Sequence, residues 1–547
     1  MIVQQTVQTM LVEQDGPASS VNAAAAQSAQ AAAAASASSA SSSASAAASS
    51  ATAAANSAAA AATSAGTITT YASLPTEYRQ YAAAGSVLSN IPTRIDAAEQ
   101  LLKQAVGWWD AGHSSASGQS LTNLGWGGSA LNATLGSTSG VDSNDPLFLP
   151  WSGQNYVYLP GVAYNYLSVP NSTALQITGD LDLRGQVAVD NWTLGAVQHL
   201  VAKMESAGQF AYRLYAYNNY LYLEWSADGT NIVSKQSTAT LGYAAGTIKW
   251  VRGTLTVNNG AAGNDVKFYT SDDGVTWTQL GTTVTTAGTT SIYAGTSIVG
   301  VGDRQAASGQ PLSGKVYRAQ IFNGINGTPV LDVDTSLVSS GAATSFPALT
   351  GQTVTINRAT SGRKSVAVVN PAFLFGTDDY MQVADNALLN FGATDSMTAV
   401  VVVRQWSTPS TNSRYISKKA LNFGTDAGWA IYSDGTGKFR ATDSDGTNYN
   451  INDSPATSLG SLGVGAMVIS RTAALLTPYA NAIAGSTGNI SALGNMTNTL
   501  PLRIGSDSSI VGGNADMEFI AAAIFRRALT ASEITTINNY YLGRYGA

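Results

Sequence analysis

The chain has 547 residues, of which only 11% are Asp, Glu, Lys or Arg, with a net charge of −6, 54 glycines and no cysteine. The lack of cysteine excludes a disulfide-stapled scaffold, a zinc–thiolate site and a cysteine nucleophile. The acidic balance removes the basic surface that nucleic acid or anionic lipid requires, and the length predicts several domains.

Residues 1–20 carry no Lys or Arg before their apolar positions, so no cleaved leader is expected. No stretch reaches the ~18 consecutive apolar residues of a membrane helix, so no membrane insertion is expected. From Ala23 to Ala65 every residue except Gln27, Gln30, Thr52, Asn56 and Thr63 is Ala or Ser. A flexible linker is one reading. The helical reading is preferred, because Ala is the best helix former and a long run offsets the nucleation cost. Small side chains on every face also let such helices pack closely against copies of themselves. Residues 21–66 are therefore expected to form a coiled-coil stalk, roughly 65 Å long at ~1.5 Å per residue if continuous.

Residues 67–107 read as a connector. Leu88, Ile91, Ile95, Ala98, Leu102, Ala105 and Trp109 alternate three- and four-residue steps, the spacing of a coiled-coil seam. Pro92 is tolerated only near a helix start, which puts that start after Asn90 or Ile91. A short helical bundle ending the stalk is predicted.

From Trp108 onward the pattern has period two, broken by Gly, Asn and Asp-Gly, and it repeats. NYLSVPNSTALQITGDLDLRGQVAV (165–189) parallels DYMQVADNALLNFGATDSMTAVVVV (379–403), and GQFAY (208–212) parallels GWAIY (428–432). Each of the latter follows a lysine-bearing strand, with Lys203 in one copy and Lys418 and Lys419 in the other. VYRAQIFNG (316–324) then parallels FIAAAIFRRAL (519–529). Three landmarks in one order predict two copies of one mainly β fold, 108–364 and 365–547, each a β-sandwich. One hairpin is legible residue by residue, with Asn218-Asn219 as a two-residue turn. Its register pairs Tyr217 with Tyr220, Tyr215 with Tyr222 and Arg213 with Glu224 on one face. The other face pairs Ala216 with Leu221, Leu214 with Leu223 and Tyr212 with Trp225, and is the core face.

NYLSVP, GDLDLRGQVAVDNWT, LYLEWSADGT and FYTSDDGVTWTQLG, in that order, resemble the concanavalin A-like (laminin-G-like, jelly-roll) domains of bacteriophage tail and fibre proteins. The ending IFRRALTASEITTINNYYLGRY resembles that family's last strand and helix, with Thr530 and Glu533 as a capping box and Ile534, Ile537 and Tyr541 on one helix face. The second unit lacks a GDxDxR match. The resemblance implies a virion fibre or spike subunit, homotrimeric through the Ala/Ser stalk and anchored to other virion proteins through residues 1–20. It further implies two lectin-like domains held out toward host-surface carbohydrate. A purely architectural decoration protein and a polysaccharide depolymerase are the alternatives.

The residues point away from catalysis. Ser271-Asp272-Asp273-Gly274-Val275-Thr276-Trp277 fits the Asp-box hairpin of sialidases, but such boxes are turns lying away from the reacting centre. No E-x-D-x-E string pairs carboxylates on a strand, and neither His113 nor His199 lies near a nucleophile motif. Asp180 and Asp182 alternate onto one face and are calcium candidates, although a bond to a neighbouring loop serves them equally well. No cofactor is otherwise required. The tyrosine face, with Tyr215, Tyr217, Tyr220 and Tyr222 beside Arg213 and Glu224, is the glycan-binding candidate, because aromatic rings stack on the apolar faces of sugars.

Overall fold

The computed structural model describes residues 27–34, 36–38, 91–114, 116–151, 153–304, 310–360, 362–420, 422, 425–508 and 515–546, without the side chains of 91–96, 116 and 117. It divides into two units, Met1–Ile91 and Pro92–Ala547. In the first, residues 27–34 and 36–38 are helical and exposed. The rest of the expected stalk, the 1–20 segment and the connector up to residue 90 lie outside the described residues.

Helix α1 (Ile91–Leu102) begins where Pro92 requires. The expected seam ends sooner than its spacing predicts: Ala98 and Leu102 lie on the helix, Ala105 follows it, and Trp109 sits in the strand Gly107–Asp110, all four fully buried within this chain. Three-and-four spacing marks an apolar helix face without naming what covers it, and here the cover is the chain's own body. Polar contacts add to that docking. Tyr540 donates to Glu99 (3.4 Å), and Arg527 donates to Gln104 (3.0 Å).

Four antiparallel sheets follow among the described residues, paired into two β-sandwiches. One sandwich has a front sheet in the order Ile232–Gln236, Tyr220–Ser226, Tyr212–Tyr217, Gln198–Lys203, Val299–Val301, Tyr166–Val169, Thr353–Asn357, Ser345–Pro347. Its back sheet is built around Ile248–Thr256, Leu181–Val189 and Ser313–Asn323. Inward residues of the two, among them Leu183, Leu200, Leu214, Leu223, Trp225, Val251, Phe268 and Ile321, fill the space between them.

The boundary between the two sandwiches differs from the 364/365 expectation. Gly107–Asp110 pairs with Met517–Phe525, Ala133–Leu135 with Met381–Val383, and Leu147–Leu149 with Ala372–Phe375. Residues 107–149 therefore belong to the C-terminal sandwich, and the other is inserted within it. In return, Val366–Val368 pairs with Tyr156–Pro160 at the edge of the inserted sandwich. Each sandwich covers one sheet edge with a strand from the chain leading into the other, which removes an open edge from both. Leu149, Tyr156, Tyr158, Tyr317, Val366, Val368 and Leu374 form one buried cluster at this crossing. Arg363 donates to Asp379 (2.7 Å) beside it, and Arg358 stacks 3.4 Å over the Trp406 ring.

The internal repeat has a physical content that the lysines supply. Lys203 donates to Asn171 (2.7 Å) and to the Ser297 carbonyl; Lys418 donates to Asp385 (2.8 Å) and the Leu500 carbonyl (2.8 Å). Both are buried. In each sandwich the ammonium ties a strand end to the loop after the first front-sheet strand of the repeat. The GQFAY/GWAIY parallel shifts by three residues in space. Tyr212 faces Lys203 as Trp429 faces Lys418, while Tyr215 and Tyr432 sit beyond the same strand irregularity, opposite His199 and Arg414.

At the C-terminus, helix α2 (Ala531–Tyr545) carries the expected capping box between Thr530 and Glu533, and Ile534, Ile537 and Tyr541 are buried. A fragment of residues 365–547, cut at the sequence-derived boundary, loses five strands of its own sandwich, all of them between residues 107 and 149. It is expected to aggregate, whereas 92–547 is expected to melt in one cooperative transition by circular dichroism. A soluble, cooperatively melting 365–547 would contradict the nesting.

Candidate functional site

The tyrosine hairpin forms in the expected register, all six pairs included. Asn218 and Asn219 adopt φ of 47° and 69°, the left-handed turn that Asn tolerates. The tip is clamped from both sides. Asn218 and Asn219 donate their backbone N–H groups to the carbonyls of Leu194 (3.0 Å) and Trp192 (2.9 Å), and Leu241 N–H donates to the Asn219 carbonyl (2.8 Å).

The outer face departs from the solvated surface that its polarity suggested. Arg213 and Glu224 are only 8% and 6% exposed. Their burial is tolerated because the groups bonded to them are complementary. Arg213 Nε donates to Glu224 Oε2 (2.6 Å), and Tyr215 donates its hydroxyl to Glu224 Oε1 (2.7 Å). Arg213 Nη1 lies 2.8 Å from His199 Nε2, and His199 Nδ1 lies 2.9 Å from the Gln310 carbonyl. These contacts assign the neutral Nδ1–H tautomer, with Nε2 accepting from the guanidinium. Burial and then the Arg213 charge push the His199 pKa down to about 3.

The rings are arranged against flat stacking on Tyr215. One face of Tyr215 lies 4.8 Å from the Arg213 guanidinium carbon, and the other stacks on Tyr222 at 5.0 Å and 6°. Tyr222 donates its hydroxyl to Gln236 (2.6 Å) and meets Tyr217 edge-on at 5.9 Å. Tyr217, Tyr220 and Tyr222 remain half-buried. Of the six residues predicted for binding, Arg213, Glu224 and Tyr215 form a base, and Tyr217, Tyr220 and Tyr222 form the accessible strip upon it.

The calcium expectation is corrected. Asp182 is fully buried and accepts from both Arg184 (2.7 and 3.1 Å) and Arg252 (2.7 and 2.9 Å), as well as from Asn326 N–H (3.1 Å). Its oxygens are taken by two guanidinium forks, which leaves no lone pairs for a cation. Asp180 accepts from Val257 N–H (2.8 Å). Among the described residues no three His, Asp or Glu side chains gather as a metal site. The signal available in the sequence was the back-sheet register, where Arg184 faces Arg252 directly. Two like charges opposed across a pair of strands call for an acid between them.

The Asp box is a turn. Ser271 Oγ accepts from Gly274 N–H (2.9 Å), Asp273 accepts from Val275 (2.8 Å) and Thr276 (2.7 Å), and Gly274 has φ +74°. Trp277 lies edge-on to Trp250 and 5.4 Å from both Arg184 and Arg252. Ser226-Ala227-Asp228-Gly229 and Ser444-Asp445-Gly446 close in a similar way without the tryptophan.

No family model matches the chain, and no curated protein matches it. Among solved structures, domains LG4-5 of the mouse laminin alpha1 chain align over 71% of this chain and 96% of theirs, at 10% identity and a TM-score of 0.26. The binding domain of Botulinum neurotoxin serotype G aligns over 31% of this chain and 43% of its own, at 13% identity and a TM-score of 0.25. The native heptameric SAP-like pentraxin from Limulus polyphemus aligns over 37% and 95%, at 17% identity and a TM-score of 0.23. Scores this low establish no family.

Two outcomes follow from the buried base. Arg213→Ala leaves Glu224 buried without its partner and is expected to lower stability by about 3–5 kcal/mol in chemical denaturation. His199 is neutral when folded, so its contribution is present above the unfolded value near 6.5 and lost as pH falls toward about 3. In that window the chain is expected to lose up to about 1.4 kcal/mol per pH unit more than His199→Asn, which does not titrate. Parallel pH–stability curves for the two proteins would contradict the assignment.

Proposed function

We propose that this chain is a bacteriophage virion fibre or spike subunit, without catalytic activity, whose two concanavalin A-like sandwiches adhere to carbohydrate on the host surface. The observation that carries the reading is the accessible Tyr217–Tyr220–Tyr222 strip, held on a buried, fully bonded base at a clamped hairpin tip. A ligand meeting such a strip finds rings already ordered, which limits the entropy lost on binding. The sequence resemblance to phage fibre domains and the Ala/Ser-rich segment ahead of the sandwiches support the fibre role.

In this reading residues 1–20 attach to other virion proteins, residues 21–66 gather three copies, and weak contacts add through avidity. A purely architectural role is the second reading. It is favoured by the hydroxyls of Tyr215 and Tyr222 being engaged within the sheet.

Purified full-length chain, sized by light scattering, is expected to be trimeric and to coat host cells, with occupancy falling when the trimer is dissociated. Absence of cell binding by an intact trimer would favour the architectural role. Release of reducing ends from host polysaccharide would contradict the non-enzymatic assignment.

A further inference from the structure

The tyrosine face has a cation beside it that forms no ion pair with the base. Arg304 follows the strand Val299–Val301, whose Gly300 shares a row with Ala202, Arg213 and Glu224. Its backbone N–H donates to Asp303 Oδ1 (2.7 Å), and its side chain is half-buried. Its Nε is enclosed and meets no hydrogen-bond acceptor among the described residues. Arg213 repels the guanidinium, while Asp303 and Glu224 attract it. Burial, and then the Arg213 charge, hold its pKa below the ordinary guanidinium value.

Two carboxylates and two guanidinium groups cancel here in sum but not in place. Glu224 gives Oε2 to Arg213 Nε and Nη2 (2.6 and 2.5 Å), and Oε1 to the Tyr215 hydroxyl (2.7 Å). Asp303 is fully buried, 3.6 Å from the His199 ring, with Oδ1 on the Arg304 backbone. Lys235 is paired opposite Leu223, a core residue, and so points to the other side of the sheet. Among the described residues, Arg304 is therefore the cation this face offers to a group arriving from solvent. A partly desolvated guanidinium whose Nε lacks an acceptor is costly, and a carboxylate or sulfate relieves that cost through a charge-assisted fork. Tyr222 stands two residues before Glu224 on the same face, and Ser234 lies exposed opposite Glu224. One short oligosaccharide can thus meet the aromatic strip and Arg304 together.

We infer that the tyrosine strip and Arg304 take an acidic polysaccharide, with sugar rings against Tyr217, Tyr220 and Tyr222 and an anionic group on the Arg304 guanidinium. The inference rests on the adhesive reading of the same face and narrows it to a ligand class. It also sets a salt signature, because an anion on a half-buried guanidinium is screened by ions. The chain's own net charge of −6 opposes unspecific attraction to a polyanion, so retention by one reports a local site.

The test is affinity electrophoresis of the full-length chain through gels containing dextran, dextran sulfate or alginate, the first two sharing a backbone and differing in charge. Retardation is expected in at least one acidic gel, above any in dextran, and should fall at least about fivefold between about 20 and about 500 mM NaCl. Arg304→Gln should weaken it at least about tenfold with the melting temperature preserved, since the side chain is half-buried and its Nε bonds nothing. Arg304→Lys keeps the charge but loses the fork and should weaken it by a smaller factor. Tyr217→Ala/Tyr220→Ala should weaken it at least about tenfold, and Lys235→Gln, on the other side of the sheet, should leave it unchanged. Retardation in dextran equal to or above that in the acidic gels would overturn the acidic class while leaving adhesion standing. Acidic-gel binding that resists salt, survives both Arg304 variants or the tyrosine double variant, or is lost with Lys235→Gln would overturn the site. No retardation in any of the gels would overturn the adhesive reading and this inference with it.

Discussion

The Arg213–Glu224 pair is the constraint on which the front sheet of the inserted sandwich depends. Both groups are nearly removed from water, so each must find complementary partners inside the protein. That requirement fixes the Tyr215 hydroxyl on one carboxylate oxygen and sets the His199 tautomer. His199 in turn faces the Gln310 carbonyl, which holds that segment against the sheet. The half-buried tyrosines stand on a base that cannot reorganise without stranding a charge.

The second sandwich repeats the frame and changes the face. The row His199–Tyr215–Tyr222–Gln236 runs across four strands, and its counterpart is Arg414–Tyr432–Arg440–Asp453. One tyrosine is kept, and an arginine–aspartate fork replaces the outer aromatic and amide, with Arg440 Nε 2.5 Å from Asp453. The buried lysine clamps are kept in both. The duplication thus preserves what holds the strands and varies what meets solvent, with an aromatic strip in one sandwich and the Arg440–Asp453 ion pair in the other.

Much of the hairpin was legible because its determinants are contiguous. Asn218-Asn219 allows positive φ at both turn positions, and period-two alternation then assigns every side chain to a face. The capping box of α2 was legible for the same reason. The nesting was not, since Gly107–Asp110 and Met517–Phe525 lie near opposite ends of the described β region and neither carries a mark of the other. Asp182 was misread because alternation gives its face but not Arg252, which lies 70 residues on in sequence and reaches it from the neighbouring strand. The same holds for α1, whose apolar stripe is as suitable for its own body as for a second chain. Burial of Arg213 and Glu224 was the least legible feature, because polarity predicts exposure and only the assembled neighbours make burial tolerable.

The central claim is that a preformed tyrosine strip is the surface through which this chain meets its ligand. A crystal structure of the full-length chain bound to a host-surface oligosaccharide tests it most directly. The account predicts sugar density against Tyr217, Tyr220 and Tyr222, with the Arg213–Glu224–His199 base unmoved from its unbound positions. Sugar seated elsewhere with the tyrosine strip bare, or a base that opens to admit it, would contradict the account.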